Sequence, residues 1–222
     1  MKLSPSERDA LLLYAAFSLT SAAALLLPVG SMGLRICLLV AVYNIALPLA
    51  GYWRKHDTWL SAWAFLLPLS ILQVFPDWFL SAQLDSLVFP ERSAPRIGTV
   101  SAFMALMWII PLFVVVLLAE SARRKTNLTV ALAVAGLSAL LIFGVSEMFS
   151  WRLNMWHAQN VWQWQHMALY VLPAELLLGV YTYAGFHLTR NRGITTKFAA
   201  AASVMLLYLG ALAWFYLVIE TL

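Results

Sequence analysis

Asp77, Glu147 and Glu175 are carboxylic acids set in, or at the ends of, long apolar runs. An ionisable side chain at membrane depth costs from about 3 to more than 10 kcal/mol, so it marks chemistry or interhelical pairing. A carboxyl group taken out of water favours its neutral form, the state a general acid requires. Glu175, in ALYVLPAELLLGVYTY, stands about nine residues into its run, well below the surface at about 1.5 Å per residue. Pro173 is expected to kink the helix just before it, with Gly179 and Thr182 on its face. Glu147 closes its run in LLIFGVSEMF, with Phe143 beside it and Gly144 expected to admit a close neighbour. Asp77, in SILQVFPDWFL, shares a helical face with Ser70 and Gln73. Pro76 frees a carbonyl one turn earlier, which is tolerated at membrane depth where it lines a cavity. Each acid also has a plainer reading: an interhelical hydrogen bond for Glu175, an interfacial acid without a role for Glu147, a loop cap for Asp77.

The elements that must position these acids are membrane helices. The chain has 222 residues, 63% hydrophobic and 11% charged, more apolar surface than a soluble domain of this size can hide. Runs of about twenty apolar residues place spans near 9–28, 32–53, 58–81, 98–121, 127–149, 165–189 and 197–220. The expected fold is an all-α integral membrane protein, a seven-transmembrane-helix bundle forming one domain over 1–222. Of its fourteen Lys and Arg, ten fall on one side: Lys2, Arg8, Arg54, Lys55, Arg123, Arg124, Lys125, Arg190, Arg192 and Lys197. Arg35, Arg92, Arg96 and Arg152 fall on the other. The positive-inside rule then puts the N-terminus in the cytoplasm and the C-terminus outside, with all three acids in the outer half. The net charge of +4 is a topology signal of this kind and does not point to nucleic acid. The expected location is the bacterial inner (plasma) membrane, multi-pass. No cleavable signal peptide is expected in MKLSPSERDALLLYAAF, and no internal repeat stands out.

Two outer connections are longer than turns. Residues 82–97 carry Pro90 and Pro95, and read as an ordered loop or a re-entrant hairpin. Residues 150–164 carry Trp151, Trp156, Trp162 and Trp164, as an aromatic belt or as a lid with Trp156, Trp162 or Trp164 turned inward. His157 and His166 flank this segment with Gln159 and Asn160. They could orient a carboxylate, shuttle a proton or bind a metal. No HxxxH or HExxH pair is present, and the single cysteine, Cys37, excludes an internal disulfide and a cysteine-rich cluster, so no metal or cofactor is expected. His56 and His187 read as solvated, Glu120 as an ion-pair partner of Arg123 and Arg124, and Asn44 as interhelical glue. A GxSxG elbow, a P-loop, a dinucleotide fingerprint and a central lysine in the seventh span are all missing.

Acids and aromatics together suit one chemistry. A neutral carboxyl in a dry cavity can protonate an alkene, aromatic faces stabilise the carbocation by about 2 kcal/mol or more, and a second carboxylate removes a proton. Candidate wall and binding residues are Gln73, Trp78, Trp108, Trp156, His157, Asn160, Trp164, His166 and Tyr170, with Tyr181 and Tyr183 as further aromatics. The partner would be an apolar isoprenoid or lipid dissolved in the bilayer.

The stretch 147–179 resembles the membrane-embedded lycopene cyclases of the small, heterodimeric type. The resemblance rests on an acid at a span end (Glu147), a loop with Trp156 and Trp164, and the element Pro173-Ala174-Glu175. Leu176 stands where that family has a second glutamate. In length and span count the chain also resembles small membrane terpene cyclases. These resemblances imply an isoprenoid or carotenoid cyclase or isomerase with Glu175 as the acid and Glu147 as its partner. Asp77 has no counterpart in them. The alternatives are a lipid-binding or accessory membrane protein, a proton-coupled transporter, and a metal-dependent membrane hydrolase using His157 and His166.

Overall fold

The computed structural model describes residues 3–27, 30–90 and 93–222. Lys2 and Arg92, which entered the charge count, lie outside them. Helix α1 (Pro5–Leu26) opens on a capping box: Ser4 accepts from the Glu7 backbone, Glu7 reaches back to Ser4, and Pro5 takes the first turn. Ser31 caps α2 (Met32–Trp53). The third apolar run is broken into α3 (Asp57–Leu72), α4 (Val74–Trp78) and a π-turn (Phe79–Gln83). Pro76 supplies no N–H to the Leu72 carbonyl, so the break falls at Gln73. Pro111 acts likewise on Met107, separating α5 (Met104–Met107) from α6 (Ile109–Lys125). Asn127 caps α7 (Leu128–Ser150), and α8 (Val171–Thr189) and α9 (Ile194–Tyr216) complete the bundle.

Among the described residues, six stretches are long and apolar enough to cross a membrane: Pro5–Leu26, Met32–Trp53, Asp57–Gln83, Met104–Lys125, Leu128–Leu153 and Ile194–Thr221. Helix α8 is shorter and carries Glu175, Thr182 and His187. It packs between α7 and α9, which make its most extensive contacts. A Cβ on Gly179 would stand 2.4 Å from the Ala135 carbonyl oxygen and 2.5 Å from Ala139 Cβ, so glycine sets the α7–α8 approach. Gly144 does not play the part expected of it: its Cβ would meet nothing nearer than Leu172 at 3.6 Å. Helix α1 is peripheral, with Ala10 its only buried residue among those described.

Two expected spans begin later than the apolar runs do. Residues 96–101 and 163–168 are hairpins, in which β2 (Arg96–Ile97) pairs with β3 (Val100–Ser101) and β5 (Gln163–Trp164) with β6 (Met167–Ala168). Gly98 turns the first at φ 62°; Gln165 and His166 turn the second at φ 47° and 71°. The loops themselves are stitched together by β1 (Leu87–Val88) and β4 (His157–Ala158), with Leu87 opposite Ala158 and Val88 opposite His157. Asp77 stands ten residues before Leu87, and Glu147 ten before His157. Each strand is followed by a hairpin and then a helix. The two segments thus share an element order but little residue identity beyond Phe79 and Phe149, each two residues after its acid, which is why no repeat stood out.

Candidate functional site

Asp77, Glu147 and Glu175 line one cavity of about 540 Å³ beneath the stitched loops. That volume lies within the range of about 300–1,000 Å³ usual for small-molecule sites. Its walls are otherwise uncharged and mostly apolar or aromatic, with Trp108, Phe143, Trp156, Tyr170 and Tyr208 among them beside Ser21, Ser86, Ser146 and Ser150. Trp108 Nε1 donates to Asp77 Oδ2 at 3.1 Å, and Trp156 Nε1 donates to Glu147 Oε1 at 2.7 Å. Glu175 differs. It is only 2% exposed, and its Oε2 is buried with no hydrogen-bond partner. Pro173 does not kink the helix above it; it sits in the first turn of α8, where no backbone N–H is needed. Glu175 is therefore near the helix start, not nine residues in, and is buried there all the same.

The scan against protein families matched residues 74–219 to a domain of unknown function, DUF6989. The chain belongs to this family. Searches of curated proteins and of solved structures gave no match. The family segment starts three residues before Asp77 and contains all three acids, both tryptophan donors and Tyr208. Helices α1 and α2 precede it, yet they contribute Tyr14, Phe17, Ile36 and Val40 to the cavity wall.

Tyr208 was not foreseen. It is 2% exposed, stacks edge-on to Trp108 at 6.0 Å, and lies within electrostatic reach of Asp77, Glu147 and Glu175 together. Phe143 backs the same indole at 5.1 Å. Tyr170 faces the cavity too, its hydroxyl paired with Ser86 at 2.7 Å.

The structure places several expected wall residues elsewhere. Trp78 is 41% exposed and lies against Gly98. Trp162 and Trp164 are turned outward. Asn160 and Gln159 both bind Asp85 on the outer loop. His157 is held in the β1–β4 ladder, and His166 is a turn residue whose ring lies 4.6 Å from that of Trp151. Tyr181 lies outside the lining, and Tyr183 donates to Glu120 at the opposite end of the bundle. Gln73 is fully buried on the face it shares with Ser70 and Asp77, but it is not in the cavity wall, and neither its Oε1 nor its Nε2 finds a partner. Among the described residues, no three His, Cys, Asp or Glu side chains gather as a metal-binding set.

The opposite end of the bundle is a polar layer of a different kind. Asp9 accepts from Arg54 at 2.8 Å and contacts His56 at 2.9 Å, so His56 is paired and largely covered, not solvated. Glu7 pairs with Arg124. Glu120 accepts from Tyr183 and pairs with Arg190 at 3.5 Å, in place of the expected Arg123 and Arg124. His187 is half-buried against Tyr183, with its Nδ1 unpartnered. Asn44 donates to the Val40 and Leu106 carbonyls, tying α2 to α5. These contacts fasten helices together, whereas the carboxyls of the cavity face open space.

Proposed function

We propose that this chain is a membrane-embedded isoprenoid or carotenoid cyclase or isomerase working by proton addition and loss. In this reading α8 is a seventh span beside the six long apolar helices, the N-terminus is cytoplasmic and the cavity lies in the outer half of the membrane. The observation that carries the reading is the gathering of three carboxyl groups, distant in sequence, on one aromatic-walled apolar cavity. Glu175 has no hydrogen bond to hold its proton, and so acts as the acid. It adds a proton to an alkene carbon; a C–H bond forms and the neighbouring carbon becomes a cation. That cation is attacked by a second double bond or passes directly to the final step. Trp108, Trp156 and Tyr208 line the cavity around it, and a desolvated cation over an aromatic face is stabilised by about 2 kcal/mol. Glu147, within electrostatic reach of Glu175, removes a proton from an adjacent carbon and restores a double bond. No atom is gained or lost overall, and the proton returns to Glu175 between turnovers. Trp156 fixes the orientation of Glu147, and Trp108 that of Asp77, a second acceptor.

Purified protein in lipid vesicles, supplied with linear polyprenyl or carotenoid substrates, tests this. Turnover in D2O is expected to place deuterium in the product. Glu175→Gln is expected to lose about 10²- to 10⁴-fold in rate, the usual share of general-acid catalysis. Turnover retained in Glu175→Gln would remove Glu175 as the acid. A wild-type protein that holds lipid but converts none of these substrates would fit the lipid-binding role instead.

A further inference from the structure

The cavity reaches the side of the bundle as well as its interior. From α1, the residues Tyr14, Phe17, Ser21 and Leu25 face it, a stripe at helical spacing, and all four remain partly exposed. From α6 come Ile110, Pro111 and Val114, and from α7 Ile142, Ser146 and Phe149, again half-buried or exposed. Apart from Tyr14, near the middle of α1, these lie at the same end of their helices, the end that bears the three acids. Helix α1 makes extensive helix contact with α2 alone.

Most side-chain fastenings of α1 fall in its first half, and the far half is held mainly by Arg35 at its last turn. Its first half is tied by Ser6 to Trp59 at 2.8 Å, by Glu7 to Ser121 and Arg124, by Asp9 to Arg54 and His56, and by Tyr14 to Tyr43 and the Ile110 carbonyl. Beyond Tyr14, Thr20 bonds only its own helix, Ser21 Oγ is buried without a partner, and Arg35 holds the carbonyls of the last turn. A helix so fastened leaves its far half backed by the cavity.

We propose that the far half of α1 and the facing end of α7 frame a lateral portal, floored by α6, through which a hydrocarbon chain dissolved in the bilayer reaches the three carboxyls. The occupant is an apolar chain, because the walls named above carry no charge and the passage opens between the apolar helices α1 and α7. This goes beyond the proposed chemistry and does not depend on it: a lipid-holding cavity would use the same door.

Carbodiimides test the route, since they add to carboxyl groups to form stable acylureas that mass spectrometry can assign to a residue. Protein in vesicles is treated either with dicyclohexylcarbodiimide, which dissolves in the bilayer, or with a water-soluble dimethylaminopropyl carbodiimide. The apolar reagent is expected to label Glu147 or Glu175, and the water-soluble one to leave both unmodified. Val114→Trp and Ile142→Trp, which narrow the portal, are expected to slow the apolar reaction about tenfold. Leu141→Trp, on the lipid face of α7 and outside the cavity wall, is expected to leave it unchanged. Equal labelling by both reagents, no labelling by the apolar one, or unaltered rates in both portal variants would overturn the proposal. The comparison of reagents uses wild-type protein, so it stands even if a tryptophan variant fails to fold.

Discussion

At the residue scale, two of the three acids are gripped and one is not. A hydrogen bond to a carboxyl group that can carry charge is worth about 1.5–3 kcal/mol, enough to fix its orientation. Trp156→Phe keeps the ring and removes the donor to Glu147. It is expected to lower turnover about tenfold while moving thermal stability little, as read by steady-state rates and unfolding of the purified protein. If the indole acts through Glu147, adding Trp156→Phe to Glu147→Gln costs no further loss, and a double-mutant cycle shows strong coupling. The acids were legible in the sequence because charge in an apolar run has so few explanations. The indole donors were half legible: Trp108 and Trp156 could be named as wall residues, but a sequence cannot say which tryptophan of a loop turns inward. Tyr208 was missed, since LYLGALAW reads as an unbroken apolar helix. The signal it carried was a hydroxyl in mid-span, which needs a partner or an opening.

At the scale of elements, the helices followed from hydropathy and caps, while the hairpins did not. Residues 163–168, QWQHMA, mix polar and aromatic side chains as the interfacial end of a span does, and their turn rests on Gln165 and His166 in left-handed backbone, which sequence does not advertise. There the β5–β6 pairing closes the segment on itself in place of a helical turn, and hydropathy does not reveal it. Helix packing has a sharper determinant. Gly179→Ala would drive a methyl into the Ala135 carbonyl and the Ala139 side chain, overpacking the α7–α8 contact by about 1–3 kcal/mol or more. Lower thermal stability in detergent is the expected outcome, with disturbance of Glu175 one turn away. Gly210→Ala, where a Cβ meets nothing within 4 Å, is the matched control and is expected to be neutral or mildly stabilising. An equal effect of the two substitutions would mean that the close approach of α7 and α8 does not matter.

At the scale of the whole molecule, the two ends of the bundle treat their basic residues differently, and this bears on orientation. At the end away from the cavity, Arg8, Arg54, Lys55, Arg123, Arg124, Lys125, Arg190, Arg192 and Lys197 gather, and the acids Glu7, Asp9 and Glu120 pair with only some of them. At the cavity end the described arginines are each engaged locally. Arg35 binds the last carbonyls of α1, Arg96 binds the Phe89 and Thr99 carbonyls, and Arg152 lies over the rings of Phe149 and Trp151 at 5.2 and 5.5 Å. Lys and Arg near span ends are retained on the cytoplasmic side, so the orientation we propose puts the first end there and the acid cavity outward. Single cysteines introduced into a Cys37→Ala background test this with a maleimide that cannot cross membranes. Gln163→Cys, exposed in the second hairpin, is expected to react in intact cells. Asn191→Cys, exposed between α8 and α9, is expected to react only after permeabilisation. The reverse pattern would turn the molecule over, place the three carboxyls in the cytoplasmic half, and move the lateral portal to the inner leaflet.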